Sequence, residues 1–374
     1  MLKLKLLSIY LGRKGGGNHY SFEMTKALSG NKEIEHAFIF SNYSDTKTLW
    51  ETIPSAHLSV NTYRNKKEFI MSYIGNKQFR RIKSFIDTYD PDIVYYPMSH
   101  FWKYRIDQLL SKKAKVVLTI HDPTLHEGED NYLMKYFEKK TNRRMDKCVV
   151  LSPIFRDVVC EKFGMKAEDV IYLPHGNYDT IVKNQGVVDL SDISADIDKH
   201  NYFLFTGRFV KYKGLSLFLR AVKELENTRK QFVIAGNGIL SKEETELIHS
   251  IGPKKLVLIN RWLSDAEINT LIKYSYYLVL THTTATQSGL IPLAYTLGVP
   301  VISSDAGGLK YQVEENRTGF LFQAGNLTLL KNTIQRVDED QKLRQKIAAE
   351  VTEYSKDELS WEKISKKMVN FALF

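Results

Sequence analysis

The sequence has little cysteine and lacks the short motifs that mark the common nucleotide and metal sites. Its 374 residues include 2 cysteines, Cys148 and Cys160, and no CxxC pair. This argues against a disulfide framework, and we expect two buried thiols in a reducing compartment. The chain also has no GxxxxGK[ST] loop, no HExxH, no cysteine–histidine cluster and no GxGxxG turn. These absences disfavour a P-loop nucleotidase, a zinc protease and an NAD-binding domain.

Long apolar runs are missing too. No run approaches the roughly 20 uncharged apolar residues that a membrane helix needs. The first residues, MLKLKLLSIYLGRKGGG, are interrupted by lysines and predict a strand in place of a signal peptide. We therefore expect a cytoplasmic protein.

Positive charge is in excess, with 53 Lys and Arg against 43 Asp and Glu. Basic runs at 64–67, 77–83 and 139–144 all fall in the first half. They suggest contact with an anionic membrane surface, at its inner face. Nucleic acid is disfavoured because no helix-turn-helix, zinc-finger or RNA-binding signature is present.

Strand and helix patterns alternate along the chain, which predicts an α/β protein with parallel sheets. Its length favours two domains, which we expect to be doubly wound, Rossmann-like and facing each other across a cleft. A helix is predicted over 131–144, whereas residues 44–63 show no clear pattern. The predicted divisions are an N-terminal domain at 1–182, a polar linker at 183–200, a C-terminal domain at 201–356 and a terminal helix at 357–374.

The stretch Thr281–Gly308, THTTATQSGLIPLAYTLGVPVISSDAGG, has the pattern of a βαβ unit with polar groups after its strands. Open α/β sheets bind ligands at such positions. Hydroxyl and amide groups ahead of a helix suit an anion, because the first N–H groups of a helix have no internal partner. The alternative is that Thr286 and Ser288 only cap the helix. The candidate residues are Thr284, Thr286, Gln287, Ser288 and Gly289.

A second loop, GRFVKYKG at 207–214, places Arg208 and Lys213 five residues apart beside glycines. Two fixed cations with exposed N–H groups can hold a diphosphate and stabilise it as a leaving group. The alternative is a basic surface loop. Together with 284–289 and 305–308, however, this loop makes three anion-competent turns at strand ends, and their convergence favours a phosphate site.

Three histidines of the first half are candidate polar contacts. His121 ends a buried strand, where it could bind a sugar or transfer a proton, or could be a satisfied half-buried side chain. His19 lies beside the glycine turn 15–17 and could contact an acceptor. His175 could orient a loop near the domain boundary.

These residues carry a family resemblance. The pattern GRxxxxKG, the SGLIPLAY helix, GVPVISSDAGG and TGFLF, with TIHDP and VVLSP in the first half, resembles the retaining glycosyltransferases of family 4. The resemblance spans nearly the whole chain and implies the GT-B fold. It also implies a terminal helix that returns to the first domain, transfer from a nucleotide-sugar donor, and no metal or other cofactor.

The resemblance also assigns roles to single residues. It makes Arg208 and Lys213 the clamp on the donor diphosphate, and His121 the histidine near the transferred sugar. From their positions in the sequence, and not from the resemblance, His19 and His175 are expected on the acceptor side. The donor-binding set comprises Gly16, Gly17, Arg261, Thr284, Thr286, Gln287, Ser288 and Gly289.

The chain departs from the family at two places. The usual Glu-x7-Glu pair falls on Leu293 and on Ala285 or Thr284, none of them acidic. Lys310 and Tyr311 stand where proline and glutamate are usual. A branch with a TQSG loop is similar, and we expect a variant donor grip.

The expected function is transfer of a hexose to a glycan or lipid-linked acceptor in bacterial surface polysaccharide, such as capsule, O-antigen, exopolysaccharide or lipopolysaccharide. One alternative is a catalytically degenerate homologue that acts as a scaffold subunit of a glycan assembly complex. A GT-B phosphorylase with pyridoxal phosphate is disfavoured, because such enzymes have much longer chains.

Overall fold

The computed structural model describes residues 3–75, 77–123, 141 and 143–373. The chain divides into two compact units. The first comprises Met1–Gly176 and Trp361–Phe374, and the second comprises Asn177–Ser360.

Seven described strands form the parallel sheet of the first unit, in the order β3-β2-β1-β4-β5-β6-β7. The strands β1 to β7 are Leu4–Tyr10, Ile34–Ser41, Ala56–Val60, Ile93–Tyr96, Lys115–Ile120, Lys147–Val150 and Val170–Tyr172. The helices α1 to α6 are Gly16–Gly30, Lys47–Trp50, Lys66–Ile74, Lys77–Tyr89, Lys103–Asp107 and Phe155–Phe163.

Two helix layers cover this sheet, because successive residues of a strand point to opposite faces. Leu6 of β1 packs in a cluster with Tyr20 of α1, whereas Leu7 packs in another with Ile82 of α4. The C-terminal helix Trp361–Leu373 shares the first cluster and so belongs to the first unit. Its buried residues are Trp361, Ile364, Ser365, Met368, Val369 and Ala372.

The strand β3 lies within residues 44–63, where no element is predicted. It forms the edge of the sheet beside β2, so only one of its sides has a strand partner. Ala56 and His57 are exposed, and Val60 alone is fully buried. An edge strand needs no continuous apolar run, which explains why its pattern is weak.

Six described strands form the parallel sheet of the second unit, in the order β10-β9-β8-β11-β12-β13. The strands β8 to β13 are Tyr202–Phe209, Gln231–Gly238, Leu256–Asn260, Tyr277–Leu280, Val301–Ser304 and Gly319–Phe322. The helices α7 to α14 are Asp179–Gln185, Leu190–Ile193, Leu215–Glu224, Lys242–Ile251, Asp265–Lys273, Leu290–Thr296, Leu327–Glu339 and Gln341–Asp357, and α15 is the terminal helix. The predicted class, two Rossmann-like parallel α/β domains, is therefore correct.

The predicted linker at 183–200 differs from the structure, because this segment is part of the second unit. The backbone N–H of Val188 donates to the Thr270 hydroxyl at 2.8 Å, and the Asn269 amide donates to the carbonyl of Gly186 at 3.1 Å. Both contacts attach the segment to α11. The segment contains the end of α7 and all of α8, helices of seven and four residues that are too short to show a helical period.

Two further predictions concern the first unit. The helix predicted over 131–144 lies almost entirely outside the described residues. Cys148 is buried, Cys160 is half-buried, and both are free thiols.

Candidate active site

The loop at 207–214, which we call the cation loop, begins in the last residues of strand β8. Arg208 is the next-to-last residue of the strand and is exposed, and Lys213 ends the 3-10 turn Lys211–Lys213. Gly207 has a φ of +124°, and a Cβ there would lie 2.5 Å from the Lys213 ammonium. The absence of a side chain thus lets the ammonium lie against the backbone next to Arg208.

The Lys213 ammonium is held in an unfavourable electrostatic environment. Burial and then the positive charge of Arg208 lower the pKa of Lys213 to about 8. Among the described residues, no carboxylate lies within ion-pair distance of Lys213 to offset this cost. An anionic ligand would supply the missing negative charge, so the pair is suited to a phosphate.

The loop after β11 is joined directly to this cation loop. The Thr281 hydroxyl donates toward the carbonyls of Lys213 and Gly214, each at 2.9 Å, and the Thr283 N–H donates to the Tyr212 carbonyl at 2.7 Å. Gly214 has a φ of +70°, and a Cβ there would collide with the Thr281 carbonyl. The two loops can therefore approach this closely only because residue 214 is glycine.

The third turn, after β12, contacts the same loop. The Gly308 N–H donates to the Ala285 carbonyl at 2.9 Å, and a Cβ at Gly307 would collide with that carbonyl. The three turns predicted from the sequence are thus neighbours at the carboxyl ends of β8, β11 and β12. Between them they present cations, hydroxyls and an amide.

The TQSG segment differs in exposure from residue to residue. Thr284 is exposed, whereas Thr286 and Ser288 are buried. The Oε1 atom of Gln287 is buried without a hydrogen-bond partner among the described residues. A buried acceptor in that state is costly, and a ligand hydroxyl would satisfy it. Gly289 is the N-cap of α12, and a Cβ there would lie 2.8 Å from the Tyr178 hydroxyl.

Arg261 follows strand β10 at the same sheet edge. Its guanidinium donates to the Glu267 carboxylate at 2.6 Å and to the Trp262 carbonyl at 3.1 Å. Glu267 also accepts from the Ser264 backbone in the capping box of α11. Its pKa is lowered to about 2, chiefly by the hydrogen bond from Arg261. The Arg261 side chain is thus held by the protein itself.

In the first unit, two of the three candidate histidines pack against Tyr20. The Tyr20 ring centroid lies 4.8 Å from that of His121 and 5.3 Å from that of His175, both in edge-on geometry. His19 precedes Tyr20 in α1 and is 8% exposed. Charges on His19 and His121 would act on His175, which is 5% exposed.

Burial favours the neutral form of two of these imidazoles, those of His121 and His175. It lowers the pKa of His121 and brings that of His175 to about 4. The Nε2 atom of His121 lies 2.9 Å from the Pro97 carbonyl. Because a carbonyl only accepts, Nε2 carries the proton, and Nδ1 of the neutral ring can only accept. His121 is therefore suited to accept a hydrogen bond from a hydroxyl.

The glycine turn of the first unit is less constrained than expected. A Cβ at Gly17 would lie 2.5 Å from the Met98 sulfur, so this residue has a packing reason to be glycine. Gly16 has open space, because a Cβ there would meet nothing within 4 Å. Gly15, with a φ of +80°, precedes the first residue of α1.

Some residues at the site were not predicted. Tyr20 organises the histidines, Thr281 joins two loops, and the Gln312 side chain contacts the Ser288 backbone. Thr281 could have been found, because it is the first residue after β11. Gln312 lies 24 residues from its partner, and no sequence period links them.

The described residues offer no evident metal centre. Within residues 3–75, 77–123, 141 and 143–373, no group of three His, Cys, Asp or Glu is placed to hold a metal ion.

Comparisons with known proteins agree with the two-unit fold. The family described as Glycosyl transferases group 1 matches residues 189–354, and the one described as Glycosyltransferase Family 4 matches residues 14–177. An uncharacterized glycosyltransferase of Methanocaldococcus jannaschii is 25% identical, with 97% of this chain and 95% of that protein covered.

Two further similarities extend over nearly all of the chain. A lipopolysaccharide core biosynthesis glycosyltransferase of Rhizobium meliloti is 22% identical, with 92% of this chain and 91% of that protein covered. The crystal structure of Anabaena HepE in complex with UDP superposes with a TM-score of 0.71 at 17% identity, covering 98% of this chain and 99% of that one. At this identity the structural likeness shows the fold alone.

Proposed function

The chain belongs to the group 1 glycosyltransferases of family 4 and has their GT-B fold, and on that premise we propose that it transfers a hexose from a nucleotide-sugar donor with retention at the anomeric carbon. One observation carries the proposal. Lys213 is a half-buried cation beside Arg208, without a carboxylate partner in the described part of the chain, and the pair lies in one of three glycine-bearing turns that contact one another in series.

In the proposed reaction, Arg208 and Lys213 bind the donor diphosphate. The bond between the anomeric carbon and the diphosphate oxygen breaks, and the acceptor oxygen bonds to the same face of that carbon. The acceptor proton passes to an oxygen of the leaving phosphate. The two cations stabilise the charge that develops on the diphosphate, which is where fixed charges accelerate such a step most.

The donor sugar is assigned to the TQSG segment. No carboxylate stands at the positions of the usual Glu-x7-Glu pair, and Leu293 is largely buried. The Oε1 of Gln287, which has no hydrogen-bond partner in the described part of the chain, and the hydroxyls of Thr286 and Ser288 support binding of the sugar by neutral groups. We propose that Gly16 and Gly17 lie beneath the donor phosphate and that Thr284, Gly289 and Arg261 complete the donor site.

Histidines of the first unit are assigned to the sugar and the acceptor. His121 orients the transferred sugar by accepting a hydrogen bond at Nδ1, which its contact with Pro97 supports. His19 and His175 are assigned to the acceptor side. Both are largely buried beside Tyr20, so each offers only a small edge of its ring.

The reaction is proposed to need no metal and no organic cofactor, because two cations already face the diphosphate. Activity should then survive chelation by EDTA. Loss of transfer in EDTA, restored by added Mg²⁺ or Mn²⁺, would contradict this assignment.

The acceptor is proposed to be a glycan or a lipid-linked sugar in surface-polysaccharide synthesis. Similarity to a lipopolysaccharide core glycosyltransferase supports this class. The cytoplasmic location with peripheral contact to the inner membrane face remains part of the same proposal. Within the described residues, no helix could span a bilayer.

A surface of helix α3 supports the membrane contact. Ile70 and Met71 are 57% and 65% exposed, and each follows a lysine by one helical turn, Lys66 and Lys67. Apolar side chains flanked by cations fit the interface of an anionic bilayer. Vesicles with and without anionic lipid test this contact. We expect salt-sensitive co-flotation that Lys66→Glu with Lys67→Glu abolishes, and equal flotation of that variant would contradict it.

A donor screen tests the proposed function. The protein is incubated with UDP-, GDP- and ADP-linked hexoses, and thermal shift and nucleotide release are measured. We expect one nucleotide series to raise the melting temperature and to release its nucleotide slowly by hydrolysis. A folded protein that responds to none of these donors would refute the proposal.

A further inference from the structure

The side chain of Gln312 is bound to the backbone of the proposed donor-sugar loop at both of its polar atoms. Its Oε1 accepts from the Ser288 N–H at 2.7 Å, and its Nε2 donates to the Ser288 carbonyl at 3.1 Å. The side-chain amide of Gln312 thus pairs with the Ser288 backbone as a residue of a neighbouring strand would in a β-sheet. Such a pair fixes both the position and the orientation of the peptide at residue 288.

A second anchor holds the other end of the same segment. The Gly308 N–H donates to the Ala285 carbonyl at 2.9 Å. Both anchors come from one short stretch of chain, residues 308–312, which includes the 3-10 turn Leu309–Tyr311. Between the two anchored peptides lie Thr286 and Gln287 alone, the residues whose side chains we assign to the donor sugar.

Gln312 is itself fixed by buried contacts. Its N–H donates to the Leu309 carbonyl at 2.9 Å, and its carbonyl accepts from the Tyr295 hydroxyl at 3.1 Å. Tyr295 is fully buried and also lies 2.8 Å from the Thr318 hydroxyl. Gln312 therefore holds the loop in a fixed position relative to the packed core.

The neighbouring residues cannot play this part. Lys310 and Tyr311, which replace the proline and glutamate usual in the family, are both exposed, and the Lys310 ammonium lies 5.0 Å from the Tyr311 ring centroid. Gln312 alone in this turn directs a donor and an acceptor at the loop. Methionine has similar length and cannot make these hydrogen bonds, and a glutamate would place an acceptor-only carboxylate against the Ser288 carbonyl, which also only accepts.

We propose that Gln312 is a positioning residue that holds Thr286 and Gln287 in place for the donor sugar. The proposal rests on the proposed function, because it assigns the held segment to the donor. In this chain, then, the turn after Gly307 and Gly308 provides the Gln312 amide, which binds the loop 285–289. It provides no carboxylate to the substrate.

The test compares Gln312→Met and Gln312→Glu with the wild type and with Gln341→Met, an exposed glutamine of α14 that serves as the control. Hydrogen exchange of the peptides that contain Ser288 is measured on the free proteins, and KM for donor and acceptor is measured separately. We expect faster exchange at residues 285–289 and a donor KM raised about tenfold in both Gln312 variants, with acceptor KM unchanged. The control should match the wild type.

Unchanged exchange in Gln312→Met would overturn the anchor, and unchanged donor KM with faster exchange would overturn its role in donor positioning. A merely structural role would instead lower the active fraction and leave donor KM as it is. A wild-type protein that uses no donor would refute the proposed function, and exchange alone would then decide whether Gln312 holds the loop.

Discussion

The two units have the same architecture and differ in what they place at the carboxyl ends of their strands. The first unit presents imidazoles that burial keeps neutral around Tyr20. The second presents Lys213 beside Arg208, a cation pair whose charges are not neutralised by a described carboxylate. One edge is therefore suited to hydrogen-bond a neutral ligand, and the other to bind an anion.

Glycine accounts for much of this difference. In the second unit Gly207, Gly214 and Gly307 all have positive φ. A side chain at Gly214 or Gly307 would meet a neighbouring loop, and one at Gly207 would meet the Lys213 ammonium of its own loop. In the first unit, Gly15 has a positive φ but open space around it. An anion site needs backbone and cations packed closely together, whereas aromatic and imidazole rings can organise the other edge by their own volume.

The largest effect should come from the cation pair. Arg208→Ala is expected to lower kcat by about 10²–10³-fold, because it removes charge from the leaving diphosphate. Arg220→Ala is the matched control, since Arg220 is an exposed arginine of α9 paired with Glu243. Steady-state kinetics with the donor from the screen would measure both. Equal loss in the two variants would mean that Arg208 acts only through fold or net charge.

The titration of Lys213 predicts that anion binding at the same sheet edge depends on pH. Its pKa of about 8 means that the ammonium loses its proton as pH rises through that value, and the anion site weakens. We expect kcat/KM, which reports the free enzyme, to fall about tenfold per pH unit above about 8. Lys213→Arg keeps its charge and should remove this alkaline limb. A limb that persists in that variant would assign the titration to another group.

The glycine contrast can be tested at two positions with nearly identical backbone. Gly214 has φ and ψ of 70° and 34°, and Gly164 of the first unit has 66° and 32°. Gly164→Ala should cost only the left-handed strain, about 1–2 kcal/mol of unfolding free energy. Gly214→Ala adds the collision with Thr281, so it should lower the unfolding free energy by more than Gly164→Ala does. It should also impair donor binding. Equal losses of unfolding free energy in the two variants, measured in urea, would show that the loops around Gly214 move apart freely.

The buried, neutral histidines predict a smaller effect, which is a loss of folding stability at acidic pH. Burial lowers the pKa of His175 to about 4 and that of His36 to about 3, below the value near 6.5 expected in the unfolded chain. The unfolded state then binds more protons, so stability is complete above about pH 6.5 and is lost as pH falls through the folded values, by about 1.4 kcal/mol per unit and group.

Urea unfolding at pH 7.5, 5.5 and 4.5 would measure this loss. Fluorescence is a suitable probe, because Trp50, Trp102 and Trp361 are buried in the first unit and Trp262 of the second is exposed. His36→Gln and His175→Gln should each flatten the acid dependence, whereas His249→Gln, at an exposed residue of α10, should not. An unchanged slope in the first two variants would place the titrating groups elsewhere.

The sequence was sufficient for the features that are local or periodic. Alternating strands and helices predicted both parallel sheets, and strand-to-helix loops predicted the positions of Arg208, Lys213 and the TQSG segment. It was insufficient where a residue is defined by a distant partner. The edge strand Ala56–Val60 depends on pairing with β2, and the contact between Gln312 and Ser288 spans 24 residues.

The same reason explains two side chains whose surroundings were not foreseen. Arg261 is predicted to be a donor-binding residue, and its link to Glu267 becomes visible only when strand β10 and helix α11 are folded. His121 is predicted to bind a sugar, to transfer a proton or to be a satisfied half-buried side chain. Its contact with Pro97, 24 residues earlier, leaves it an acceptor in the neutral state.

The central claim is that Arg208 and Lys213 hold the diphosphate of a nucleotide sugar, and calorimetry with matched nucleotides tests it most directly. Binding of UDP, GDP and ADP is compared with that of UMP, GMP and AMP, in the wild type and in the variant Arg208→Ala with Lys213→Met. We predict that one diphosphate binds the wild type at least about tenfold more tightly than its monophosphate, and that the double variant loses this preference. The same preference in the double variant would contradict the claim.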